Sequence, residues 1–159
     1  MFLKLNQYFD NQIRIPLILV DGTPRVNAIL FSNRYHFGLA RITFVVDTGS
    51  NATFIGEEDF AGLQISMDTL HKEEAFKMAG SEYNLLLGKE GTLLFKTNEN
   101  KTTRIDLPNI PVAKTTSKKA SGIEGIPSIL GTDFLEKNKF ALYFNPNKDI
   151  MYLEKEEGQ

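Results

Sequence analysis

The chain has 159 residues, enough for one domain with a real hydrophobic core. Its 18 basic and 20 acidic side chains leave a formal charge of −2, so bulk charge recommends neither nucleic acid nor an anionic membrane as a partner. Cysteine is absent, which excludes disulfides, thiol catalysis and cysteine-held metal.

The N-terminus, Met1-Phe2-Leu3-Lys4, carries no apolar signal core. The apolar run at 15–20 contains Pro16 and is far too short to span a bilayer. The expectation is a soluble cytoplasmic protein. Strand signals then dominate. Ile13, Ile15, Leu17 and Leu19 alternate with their neighbours, and Asp21-Gly22 follows as a turn. Val26, Ala28 and Leu30 alternate again. Residues 32–39 read as a loop or hairpin tip, and Ile42, Phe44 and Val46 form one face of the next strand. A short strand is expected at 52–55 and a short helix at 57–62, with acids in its first turn and glycine at its end. Residues 66–74 admit a helix. Residues 76–87 read as a hairpin around Ala79-Gly80-Ser81. A second hairpin joins 91–95 to 103–107 through the polar turn 98–101. The basic, hydroxyl-rich stretch 114–122 is expected to be a loop. A helix at 134–137, strands at 140–144 and 150–153, and a frayed tail from 154 complete the chain.

The most informative segment is Asp47-Thr48-Gly49-Ser50, because it follows the apolar strand 41–46. An acid at the open end of such a strand needs a reason to be there. A bare Asp-Thr-Gly arises by chance in about a few per cent of chains this long. Here it is flanked by Thr53-Phe54-Ile55 and followed much later by Ile129-Leu130-Gly131-Thr132-Asp133-Phe134-Leu135. The two places echo each other, since Val45-Val46 and Ile129-Leu130 are both apolar strand ends entering a tight turn.

These two segments resemble the retropepsin-like aspartic proteases, and more the stand-alone prokaryotic members than the viral ones. The likeness runs from about residue 14 to residue 153, within a single domain covering 1–159. It implies an all-β, closed, barrel-like fold with one or two short helices and one half-site per chain. The active site then needs a homodimer. Two carboxylates brought together share one proton; the charged one activates water as a base and the protonated one donates to the substrate carbonyl. The resemblance makes Asp47 catalytic, with Thr48 in a hydrogen-bond pair across the dimer axis and Gly49 in the turn. Gly49 is expected to combine unusual dihedrals with room for a backbone N–H beside the carboxylate. Ser50 is expected to donate to Asp47 and so favour an acid-shifted activity optimum. By the same analogy Asn51 and Ala52 line the cleft, and residues 76–85 form a flap whose tip is Met78, Ala79, Gly80 and Ser81. Gly131, with Ile129 and Leu130, packs beneath the loop, and Leu130 helps wall a substrate pocket. Viral members often pair an acid with an arginine where this chain has Asn51 and Thr132. The terminal strands, residues 2–5 and 150–153, are the expected dimer edges.

The reaction so implied is endopeptidase cleavage of an extended peptide or unfolded protein, with no cofactor. The competing reading is a catalytically silent peptide-binding or dimerisation module on the same fold. Asp133 invites reading as a second catalytic acid, but just ahead of Phe134-Leu135 a helix cap accounts for it. The two histidines, His36 and His71, have no acids at metal-ligand spacing, so no metal site is expected. Tyr83 suits either substrate contact or packing.

Overall fold

The computed structural model describes residues 12–78, 81–116 and 125–155. Over these the chain is all-β with two short helices, as expected. Strand β1 (Ile13–Pro16) leads to β2 (Ile18–Val20). Asp21 and Gly22, with φ of 50° and 75°, then reverse the chain into β3 (Thr23–Phe31). Positive φ at both turn positions matches the right-handed twist of the flanking strands, which is why Asp-Gly serves here. β3 pairs antiparallel with β4 (Leu39–Val46), whose Ile42, Phe44 and Val46 are buried, as the alternation predicts.

Helix α1 (Glu57–Gly62) follows, then a single 3₁₀ turn at Met67–Thr69. Where residues 66–74 admitted a helix, β5 (His71–Met78) has already begun by His71. It pairs with β6 (Ser81–Leu87), with Met78 opposite Ser81. β7 (Gly91–Lys96) and β8 (Thr102–Leu107) form the second expected hairpin. β9 (Pro111–Thr115) pairs with β6, so Lys114 and Thr115 are strand residues, not loop; the expected loop from 117 lies outside the described residues. β10 (Ile129–Leu130), α2 (Thr132–Lys137), β11 (Phe140–Asn145) and β12 (Ile150–Lys155) complete the chain.

Hydrogen bonding groups the strands into three sheets. One runs β10-β4-β3-β7-β8 with β2 added beside β3, one runs β5-β6-β9, and one runs β1-β12-β11. The last corrects an expectation. Residues 150–153 cannot offer an open dimer edge, because β12 is the central strand, with β1 on one side and β11 on the other. Nor are Glu154 and Lys155 frayed. Glu154 is buried and pairs with Arg14 at 2.5 Å, and Arg14 in turn lies over the Tyr152 ring. The other expected edge, residues 2–5, lies outside the described residues.

Two apolar clusters flank the β4/β10 pair. The main core runs from Ile15 to Leu153 in sequence and takes Val46 and Leu130. The smaller cluster takes Ile129 together with Phe54, Tyr83, Ala113 and Ile126, and Val45 packs on it. Consecutive residues of each strand therefore point into different clusters. Each fully buried side chain of this size contributes roughly 1.5–3 kcal/mol. No helix among the described residues is long and apolar enough to cross a membrane.

Candidate active site

Asp47 is the first residue past β4. Its position is set from below by β10, which runs parallel to β4 with Ile129 beside Val45 and Leu130 beside Val46. The Asp47 N–H donates to the Leu130 carbonyl at 3.1 Å, and the Val45 N–H to the Ser128 carbonyl at 2.9 Å. The echo between the two apolar strand ends is thus a physical pairing. Past Asp47 the chain turns, with the Ser50 N–H donating to the Asp47 carbonyl at 3.2 Å. The Gly49 N–H reaches the Asp47 carboxylate, 2.8 Å from Oδ1.

Gly49 matters for space, not for dihedrals. Its φ lies outside the left-handed region, contrary to expectation. A Cβ there would lie 3.1 Å from Asp47 Oδ1, crowding the carboxylate that its N–H serves. Ser50 also departs from expectation. Its hydroxyl donates to the Ala52 carbonyl at 2.9 Å and accepts from the Ala52 N–H at 3.3 Å. It closes its own turn instead of serving Asp47, which removes the basis for an acid-shifted optimum. Asp47 is half-exposed, and Thr48 and Gly49 are exposed at the tip.

A second set of contacts holds the loop from beyond. The Thr132 N–H donates to the Ser50 carbonyl at 2.9 Å, so the start of α2 grips the loop backbone. Buried Thr53 donates through its N–H and its hydroxyl to the two Asp133 oxygens, at 3.1 and 2.7 Å. The same hydroxyl accepts from the Gly131 N–H at 2.8 Å. Asp133 also accepts from the Phe134 N–H at 2.7 Å. It is the clasp between loop and helix; the N-cap position itself belongs to Gly131. Thr53 was not legible as a site residue, since a threonine beginning an apolar triplet looks like strand. The shape-preserving change Thr53→Val tests the clasp. It strands the Gly131 donor and takes one partner from Asp133, so urea unfolding is expected to show a loss of about 2–3 kcal/mol. A loss under about 0.5 kcal/mol contradicts the clasp.

Above the loop lies a cleft of about 160 Å³ between residues 49–52 and the β5/β6 hairpin. The expected contacts Asn51, Ala52 and Met78 line it, together with Ser50. Phe76, Lys77 and Leu85, within the expected hairpin, supply the rest of its wall, together with Glu74, which lies before its expected start. Ser81 pairs with Met78 but does not line the cleft, and Ala79 and Gly80 lie outside the described residues. Phe76 lies between Phe54 and Tyr83, with ring centroids 5.4 and 5.6 Å away, so the hairpin rests on an aromatic stack. Tyr83 is buried in that stack and is packing, not a substrate contact. Leu130 requires the same correction: it is wholly buried in the main core and walls no pocket. Gly131 does lie beneath the loop, against Ser50 and Ala52.

Chemically, the site offers the half-exposed Asp47 carboxylate with the Gly49 N–H beside it, and a cleft wall that mixes Phe76, Met78 and Leu85 with Glu74 and Lys77. No group of three or more histidines and acids among the described residues could hold a metal ion.

The chain is similar over 91% of its length, and 90% of the other's, to the crystal structure of a retropepsin-like aspartic protease from Rickettsia conorii, with 22% sequence identity and a TM-score of 0.48. No family model and no curated protein matches it.

Proposed function

We propose that the chain is a retropepsin-like aspartic endopeptidase that acts as a homodimer, each protomer supplying one Asp47. The observation that carries this reading is the placement of Asp47. It ends a buried strand and keeps its carboxylate half-exposed with a Gly49 N–H at 2.8 Å, and the residues that follow it, 49–52, line a cleft walled by a hairpin. The Gly49 bond occupies Oδ1 as an Asx turn does, and Oδ2 accepts from no donor among the described residues, so it is open to a water or a second carboxyl.

Exposed Thr48 and Gly49 form the surface on which two such loops would meet about a twofold axis. The two carboxylates then hold one proton between them. The ionised carboxylate takes a proton from water as the water oxygen bonds to the peptide carbonyl carbon. The protonated one gives its proton to the carbonyl oxygen. Collapse of the tetrahedral diol breaks the C–N bond; the amine leaves with a proton from the dyad, and one hydroxyl proton of the diol returns to the carboxylate that had donated. Asn51 and Ala52 would meet the substrate backbone, and Met78 with Phe76 would cover apolar side chains beside the cut.

The test is subunit mixing. Wild-type protein is equilibrated with growing shares of Asp47→Asn protein, and the cleavage of an unfolded protein substrate is followed. If each site needs one Asp47 from each protomer, activity falls as the square of the wild-type fraction, to roughly one quarter at equal shares. A linear fall would mean that each chain works alone and would overturn the dimeric site. The competing reading, a silent peptide-binding module, predicts no cleavage at any mixture.

A further inference from the structure

A further cavity adjoins the cleft, and another adjoins that one. The first, of about 270 Å³, lies between α2, the end of β8 and the face of β6. Ala52 and Leu85 line both it and the cleft beside residues 49–52. The second, of about 470 Å³, shares Asp106, Leu107, Pro108 and Lys137 with the first. The three therefore form one trough leading away from the catalytic loop. The two compartments nearest Asp47 are each smaller than a usual small-molecule pocket, about 300–1,000 Å³. Successive small compartments instead suit an extended chain, whose same-face side chains recur about every 6.6 Å.

The chemistry of the trough is specific. Half-buried Leu85 and Leu87, two residues apart on one face of β6, stand beside Leu107, Pro108 and Pro111. The two carboxylates of the first cavity are engaged. Asp133 holds Thr53, and Asp106 accepts from Arg104 Nε and Thr92 Oγ1, each at 2.8 Å. The Arg104 bond, followed by the Thr92 bond, keeps the Asp106 carboxyl below its ordinary range. Lys137 is exposed and makes no salt bridge among the described residues. The free charge at the far end of the apolar stretch is therefore positive.

We infer that this trough is an extended substrate subsite, occupied by a flanking part of the same peptide whose central bond lies over Asp47. It selects an apolar residue on Leu85, Leu87 and Leu107, followed by an acidic residue at Lys137. The inference rests on the peptidase reading for the occupant, but its test separates the two.

Two fluorescein-labelled peptides share an Ala-Ala-Phe-Leu-Ala-Ala centre. One has Gly-Ser flanks and the other has Leu-Glu flanks. Their binding to the Asp47→Asn protein is measured by anisotropy, and their cleavage by wild type is measured separately. The Leu-Glu peptide is expected to bind about tenfold tighter, the gain from partly burying one leucine. Leu87→Asp abolishes the difference. Lys137→Glu, at an exposed position where folding is not at stake, removes the glutamate's share and leaves the leucine's. Equal affinity of the two peptides overturns the subsite. Tighter Leu-Glu binding with no cleavage of either peptide by wild type upholds the subsite and overturns the peptidase. Cleavage of both with equal affinity upholds the peptidase and overturns the subsite.

Discussion

Asp47→Asn is expected to lower kcat/KM for an unfolded protein substrate by about 10⁴-fold or more, with kcat carrying the loss. The size follows from what one substitution would remove in the proposed twofold dimer. Both carboxylates go at once, so neither a base for water nor an acid for the carbonyl is left. KM is expected to change little, because the cleft walls are Asn51, Ala52 and the hairpin, which asparagine does not touch. Stability should stay within about 1 kcal/mol. Asp47 is half-exposed, its main hydrogen bonds run through its backbone, and an asparagine oxygen can still accept from the Gly49 N–H. An Asp47→Asn protein that cleaves at the wild-type rate would remove Asp47 from the chemistry altogether.

Much of what places Asp47 is readable in the chain. Ile42, Phe44 and Val46 repeat with the period of a strand, and Glu57-Glu58-Asp59 with Gly62 brackets a helix. Met78 and Ser81 face each other as a hairpin around 79–80 requires, but β5 starts earlier than expected. His71-Lys72-Glu73-Glu74 is polar and exposed, so its strand state comes from pairing with β6 and not from any apolar pattern of its own. The register also shifts between Lys72 and Ala75, where Glu73 and Glu74 face a single residue of β6. Such a bulge re-aims side chains, and no composition marks it, which is why Glu74 was missed as a cleft residue. Leu130 failed for another reason. A two-residue strand between two apolar clusters buries both its faces, and an apolar pair reads the same whether it walls a pocket or fills a core. Glu154 reads as tail because its partner, Arg14, is 140 residues away. What escaped, then, was fixed by long-range pairing and by the direction of single side chains, as with the Ser50 hydroxyl.

Gly131→Ala is the second large effect, and it tests whether the loop's position governs its chemistry. A Cβ at Gly131 would lie 2.7 Å from the Ala52 oxygen, 2.8 Å from the Ala52 carbonyl carbon and 2.9 Å from the Ser50 oxygen. All three are backbone atoms, so no side chain can swing aside. The φ of −90° suits any residue, so the conflict is one of space alone. Relief requires the segment 50–52 to part from β10 and α2 by several tenths of an ångström. That parting strains the Thr132–Ser50 bond, the Gly131–Thr53 bond and the Leu130–Val46 register together. Overpacking of this kind costs about 1–3 kcal/mol. The rate should suffer more, because a 1 Å displacement of a reacting group can cost about 10²-fold. Gly62→Ala is the control. Nothing lies within 4 Å of a Cβ there, in the last residue of α1, so stability should hold or rise by up to about 1 kcal/mol. If Gly131→Ala lowers stability by the expected amount and leaves kcat untouched, β10 and α2 only hold the fold together. If kcat falls about a hundredfold in protein still folded at the assay temperature, they also aim the carboxylate.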